Sequence, residues 1–220
     1  MTSVTIYATD IGSNNLKVSS ATYNNVLIAT DAEPLLATTA NYVGAFYNTG
    51  SSLYISRQLL LSFDLSSIPS TSTITNASFS VLSSSATIEA PTAGSQLELI
   101  PYDWGFYVKE SDYLTKAEYS AIAAVATYPK TTSITASQVL TFTSGAPLIA
   151  NLLPGATSKF MLGNKAFRNG TVPIGRTDES DSIYGSSYSV SSYRPALTIT
   201  YSAGSPASIK HNATFFGSNF

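Results

Sequence analysis

Side chains that alternate between apolar and polar dominate this sequence. A period of two is the repeat of an extended strand with one buried face. The clearest run is Arg57 to Leu65, where Leu59, Leu61, Phe63 and Leu65 fall on one side and Gln58, Leu60, Ser62 and Asp64 on the other. Val4, Ile6 and Ala8 alternate with Thr5, Tyr7 and Thr9. Ala77, Phe79 and Val81 alternate with Asn76, Ser78 and Ser80, and Ile74 enters that run on its polar side. Gln96 to Tyr102 and Ala196 to Tyr201 repeat the pattern, with Leu197, Ile199 and Tyr201 on one face. Shorter strands are expected at Val26–Ile28, Tyr42–Tyr47, Leu53–Ser56, Val139–Thr143 and Lys159–Leu162. Many short strands parted by Ser, Thr, Gly and Pro turns predict an all-β fold, a two-sheet antiparallel β-sandwich of jelly-roll type.

One segment departs from the pattern. Leu114, Ala117, Ala121, Ile122 and Val125 keep helical spacing, Thr115 and Glu118 form a capping box, and Pro129 bars the helix from continuing. One short helix is expected, about Lys116 to Ala126. A sandwich domain over 1–201 is followed by a C-terminal arm over 202–220, which begins Ser202-Ala203-Gly204-Ser205-Pro206 and carries Phe215, Phe216 and Phe220. The arm docks on a neighbouring subunit, or it folds back on its own domain, or it is a loose terminus.

The 220 residues are enough to bury a full core without staples. Net charge is -2 and only 11% of residues are charged, against about 25% in an average soluble domain. This balance argues against a nucleic-acid partner. A surface of Ser, Thr, Asn, Gly and Tyr resists neither packing against copies of itself nor contact with sugars, and it also suits a secreted domain with a neutral exterior. The absence of cysteine excludes a disulfide framework, a thiolate metal site and a cysteine nucleophile. No apolar run approaches the roughly 20 residues needed to span a bilayer, so no membrane partner is expected. The stretch Met1-Thr2-Ser3-Val4-Thr5-Ile6-Tyr7 does not read as a secretory signal. With Met1 as the natural start the protein stays in the cytoplasm where it is made; a mature fragment behind a new Met1 reads the same.

Two segments carry a resemblance. The first is Arg57-Gln58-Leu59-Leu60-Leu61-Ser62-Phe63-Asp64-Leu65-Ser66-Ser67-Ile68-Pro69, followed by Ile74-Thr75-Asn76-Ala77-Ser78-Phe79; the second is Tyr193-Arg194-Pro195-Ala196-Leu197-Thr198-Ile199-Thr200-Tyr201. Their order and spacing resemble the DNRLRE-type carbohydrate-binding β-sandwich family, a kind of sandwich also found in phage and archaeal-virus structural proteins. The resemblance implies attachment to a surface or polysaccharide, by a free binding module or by a virion part. The helix after Trp104 departs from the family pattern. At the motif positions, Asp64 is expected to accept hydrogen bonds from turn amides, Arg57 to pair with a carboxylate or cover the sandwich edge, and Arg194 to be held extended before Pro195.

Little in the sequence carries catalytic chemistry. His211 is the sole histidine and lies in the arm, so neither a Ser-His-Asp triad nor a histidine metal cluster is expected. Asp103 is half of a carboxylate pair for glycoside hydrolysis without a second half. Asp178-Glu179-Ser180-Asp181 is the densest acidic stretch, but it lacks the glycine and bidentate Glu of a calcium loop, so no metal or other cofactor is expected. Three sequons, at Asn76, Asn169 and Asn212, mean little without a secretory signal.

Aromatic residues are the better clue. Tyr102, Trp104, Phe106 and Tyr107 cluster before the helix; Tyr184, Tyr188 and Tyr193 cluster before the last strand. Such rings suit sugar faces and protein interfaces, and equally the core and roof of a sandwich. The candidate binding residues are therefore Tyr102, Trp104, Tyr107, Tyr184 and Tyr188, with Phe215, Phe216 and Phe220 as an assembly arm. The expectation is a non-enzymatic virion structural or decoration protein that assembles as a homo-oligomer or with other virion proteins in the host cytoplasm. The alternative is an extracellular module that binds a polysaccharide.

Overall fold

The computed structural model describes residues 1–36, 41–85, 96–130, 134–173 and 180–204. In chain order the elements are β1 (Thr2–Tyr7), β2 (Ser13–Ser20), α1 (Tyr23–Leu27), β3 (Glu33–Leu36), β4 (Asn41–Asn48), β5 (Leu53–Asp64), β6 (Thr73–Leu82), β7 (Gln96–Pro101), α2 (Lys116–Ala121), β8 (Ala126–Pro129), β9 (Val139–Thr141), β10 (Thr143–Ser144), α3 (Ala146–Ile149), β11 (Thr157–Asn164), α4 (Lys165–Asn169), β12 (Ser180–Ile183) and β13 (Ala196–Ser202). Two antiparallel sheets pack together as a sandwich. One has four strands in the order β1-β13-β6-β9. The other has nine, in the order β10-β8-β7-β11-β5-β2-β3, with β4 on β5 and β12 on β4.

β5 organises the larger sheet. β2 lies along one edge of its N-terminal half. The opposite edge is shared end to end, with β4 against Leu53–Arg57 and β11 against Leu59–Asp64. The expected strand at Leu53–Ser56 is thus the first third of β5.

The main core fills the space between the sheets. Leu59, Leu61, Phe63 and Leu65 meet Phe79, Val81, Leu197 and Ile199 there. The opposite face of β5 is not solvated. Leu60 belongs to a second buried cluster with Leu16, Tyr23, Val26, Ile100, Trp104, Tyr113, Tyr119, Met161 and Phe167, roofed by α1, α2, α4 and the chain between β7 and α2. Gln58 is buried beside it, and its amide both donates to Leu114 O and accepts from Leu114 N. A central strand covered on both faces reads as a continuous apolar run, which is what Leu59-Leu60-Leu61 is.

Several expectations are corrected. Val26 lies in α1, where Tyr23 and Val26, three residues apart, turn the same buried face to β2 and β5. The expected helix is one of four short α-helices among the described residues, and it stops at Ala121. Its capping box is present, with Glu118 N donating to Thr115 Oγ1 and Thr115 N to Glu118 Oε2. Ile122 is extended, Val125 N donates to Leu99 O at 2.8 Å, and Ala126 begins β8 beside β7. Sheet pairing thus takes over the last residues of the helical pattern. Val139–Thr143 splits between the sheets, with β9 on β6, β10 on β8 and Phe142 buried at the crossing. Ile74 points into the core, because the register slips between Thr200↔Asn76 and Tyr201↔Ile74. The extra residue, Thr75, is a bulge that reverses the alternation at that point.

Asp64 accepts from Ser66 N at 2.9 Å, which holds its carboxyl below its ordinary value. The Arg57 guanidinium lies 5.2 Å from the centre of the Tyr42 ring.

Candidate functional site

The first aromatic segment is a tethered loop at the end of β7. Asp103 Oδ1 accepts from Gly105 N at 2.9 Å, an Asx-type turn, and Gly105 sits at φ +78°, where glycine is at ease. Lys159, on β11, donates to the same oxygen at 2.7 Å and to Gly105 O. Its ammonium lies 5.3 Å from the centre of the Trp104 ring. This clamp sorts the four rings. Trp104 is buried in the second core, Tyr102 is half-buried, and Phe106 and Tyr107 are 87% and 72% exposed. The last two form an edge-to-face pair with centroids 4.6 Å apart. Tyr102, Asp103, Asn151, Leu153, Thr157 and Lys159 line an open cleft of about 410 Å³ at the base of the loop.

The bond from Lys159, then that from Gly105, holds the Asp103 carboxyl below its ordinary value of 3.8. A depressed folded-state value means the tether contributes fully above pH 3.8 and is lost as pH falls through the lower folded value. Trp104 is the sole tryptophan, so its emission reports the loop directly. Acid titration is expected to change Trp104 emission below pH 3.8, before far-UV circular dichroism collapses, and Asp103→Asn removes that step. Unchanged emission down to the acid unfolding transition would show that the clamp does not hold the loop.

The second segment is a tyrosine stack. Tyr184 and Tyr188 have centroids 4.5 Å apart, Tyr184 and Tyr193 5.1 Å, and Tyr188 and Tyr193 lie 5.6 Å apart and nearly parallel at 12°. All three rings are partly exposed. The backbone beneath them is fixed from three sides. Arg194 Nε donates to Tyr188 O at 2.8 Å, Ser187 Oγ to Asp10 Oδ1 at 2.6 Å, and Asn14 Nδ2 to Ser186 Oγ at 2.9 Å. Ser187 and then Gly12 hold the Asp10 carboxyl below its ordinary value.

Among the described residues the ring pairs fall within each segment, Phe106 with Tyr107 and Tyr184, Tyr188 and Tyr193 with one another. Lys159, Asp10 and Asn14, which position the rings, were not singled out from sequence; their partners are long-range and leave no local signal. Phe215, Phe216, Phe220 and His211, and Asp178 and Glu179 of the acidic stretch, lie outside the described residues. Among the described residues no three His, Cys, Asp or Glu come together in a way that could hold a metal ion. No helix among them is long and apolar enough to cross a membrane.

A third surface was not expected from sequence. β1, β13, β6 and β9, all described residues, contain no Lys, Arg, Asp or Glu. Their outer face presents Ser3, Thr5, Tyr7, Asn76, Val139, Thr141 and Thr198 to solvent. Thr5 Oγ1 and Thr198 Oγ1 hydrogen-bond each other across neighbouring strands at 3.3 Å. The chain matches no protein-family model, and no curated protein sequence matches it.

Proposed function

We propose that this chain is a non-enzymatic structural protein that assembles with copies of itself or with other coat proteins, as a virion structural or decoration protein does. The observation that carries this reading is the four-stranded sheet whose strands hold no charged residue, with Arg194, just before β13, the one charge lining the shallow depression on its outer face. Burying ions costs several kcal/mol each unless they are well paired, whereas hydroxyl-rich strands lose less on contact and satisfy one another. A neutral sheet face is therefore a cheap surface to cover, and copies of it do not repel.

Contacts of this kind resist salt, because there is little charge to screen. Sedimentation velocity of the full chain is expected to show self-association that persists from about 0.05 to 1 M NaCl, and Asn76→Lys with Thr198→Lys is expected to reduce the larger species at least tenfold. A chain that is monomeric at every concentration and salt, alone and with candidate coat proteins, would overturn the reading.

A second reading has its own observation. The Phe106–Tyr107 pair stands in solvent close in sequence to the cleft residues Tyr102 and Asp103, an arrangement that suits a sugar ring stacked on an aromatic face beside polar groups. Binding of a polysaccharide on a glycan array, lost in Tyr107→Ala, would favour this reading; silence across the array counts against it.

A further inference from the structure

We propose that the free edge of β1 is a homotypic docking edge, which pairs antiparallel with β1 of a second copy about a two-fold axis through Thr5. The inference deepens the assembly reading and rests on it. It names which edge joins and in what register.

The sandwich has several strand edges, and most are blunted in the ways that soluble sheets use to avoid pairing. β3, the outer strand at one end of the larger sheet, contains Pro34 and Glu33, with Glu33 held by Lys17 at 2.8 Å. β10, at the other end, is two residues long, and β9, which ends the smaller sheet, is three. β1 alone among these outer strands is six residues long with neither a proline nor a charge. Among the described residues nothing pairs with its far side over Thr2–Tyr7; just beyond it Thr9 N donates to Ser62 O of β5 at 2.8 Å.

The backbone decides which groups are free. Ala8 N donates to Pro195 O, the residue pair that continues the β1–β13 ladder. Amides alternate in direction along a strand, so those of Thr2, Val4 and Ile6 also face β13. Those of Ser3, Thr5 and Tyr7 face outward. Val4 and Ile6 pack on the main core yet remain partly exposed, so the edge is covered on one side only.

A two-fold axis through Thr5 satisfies these features together. Thr5 pairs with Thr5 of the second copy, and Ser3 with its Tyr7. Each such pair exchanges both backbone hydrogen bonds. The same register sets Val4 beside Ile6 of the other copy, so each partly exposed core residue gains an apolar neighbour. A partner rich in charge gains nothing from this neutral row, while an identical copy brings an equally neutral one. Pairing like this is isologous and closes at two copies. It also leaves the outer face of the sheet free for the larger assembly.

The test is sedimentation equilibrium of the full chain, with Thr5→Pro, Thr5→Lys and Asn76→Lys. Proline at residue 5 removes an outward donor and none of the backbone bonds to β13, lysine sets two like charges together at the axis, and both give up only the exposed Thr5–Thr198 hydroxyl contact. The expected wild-type species has twice the chain mass of 23.2 kDa. Both Thr5 variants are expected to weaken dimerisation at least tenfold while keeping their circular dichroism, and Asn76→Lys leaves the dimer intact. Hydrogen exchange adds a residue-level readout, since the Ser3, Thr5 and Tyr7 amides become protected only on dimerisation. A dimer that survives both Thr5 variants overturns the edge proposal and leaves assembly standing. Its loss in Asn76→Lys then assigns association to the sheet face, and its loss in Phe215→Ser with Phe216→Ser assigns it to the C-terminal segment. A wild-type chain that never associates overturns both the edge and the assembly reading.

Discussion

Replacing Arg168 with alanine is expected to destabilise the fold by about 3–5 kcal/mol, the usual cost of removing one partner from a buried ion pair. Arg168 lies in the last turn of α4 and points under α2. Its Nε donates to Glu98 Oε2 at 2.6 Å, and the Glu98 side chain is only 5% exposed. Its Nη1 donates to Tyr119 O at 3.0 Å, Ser120 O at 3.2 Å and Ile122 O at 2.8 Å, carbonyls at the end of α2, where helical partners run out. The guanidinium also lies 4.8 Å from the centre of the Tyr119 ring. Alanine strands a carboxylate in the second core and takes these donors from the end of α2. In a chain of this size the midpoint should fall by roughly 6–20 °C. Urea denaturation at unchanged m checks the magnitude. Arg168→Met with Glu98→Gln should recover part of the loss, because no buried charge then remains. A loss below about 1 kcal/mol in Arg168→Ala would mean that Glu98 finds water.

The other large effect is expected in the main core. Phe79→Ala should cost about 3–5 kcal/mol, from lost burial and from the cavity left behind. Phe79 is fully buried in β6. Its ring meets Phe63 edge-on at 6.2 Å and 85°, and Phe142 at 4.8 Å and 65°. Phe63 comes from the larger sheet, and Phe142 marks the crossing between the sheets. The three rings therefore join the sandwich through its middle. Phe79→Leu keeps more of the volume and should cost clearly less. Thermal unfolding of both variants checks the order; equal losses would point to the ring contacts rather than the cavity.

Much of the sandwich was legible because alternation is a local property. β5, β6 and β13 announce their inward rows directly. What escaped was set by long-range pairing. Ile74 reads as outward until the bulge at Thr75 is known, and a bulge depends on the register of β13. The far side of β5 reads as polar until α1, α2 and α4 are laid on it. Val125 and Ala126 continue a helical spacing, but β7 offers them a ladder. The aromatic clusters were legible as clusters. Which rings face water was not, because Trp104 is turned in and Tyr107 out by a lysine 56 residues away from Asp103. The neutral sheet and its bare edge became visible only once β1, β13, β6 and β9 were known to be neighbours.

Leu60 and Leu61 are joined by one peptide bond yet belong to different hydrophobic clusters. The second cluster has no sheet of its own, since its floor is the back of the strands that enclose the first. It cannot survive the loss of β5, and loss of the roof exposes one whole side of β5. The molecule therefore has two interiors but a single cooperative unit, and damage on either side of β5 is felt as instability of the whole.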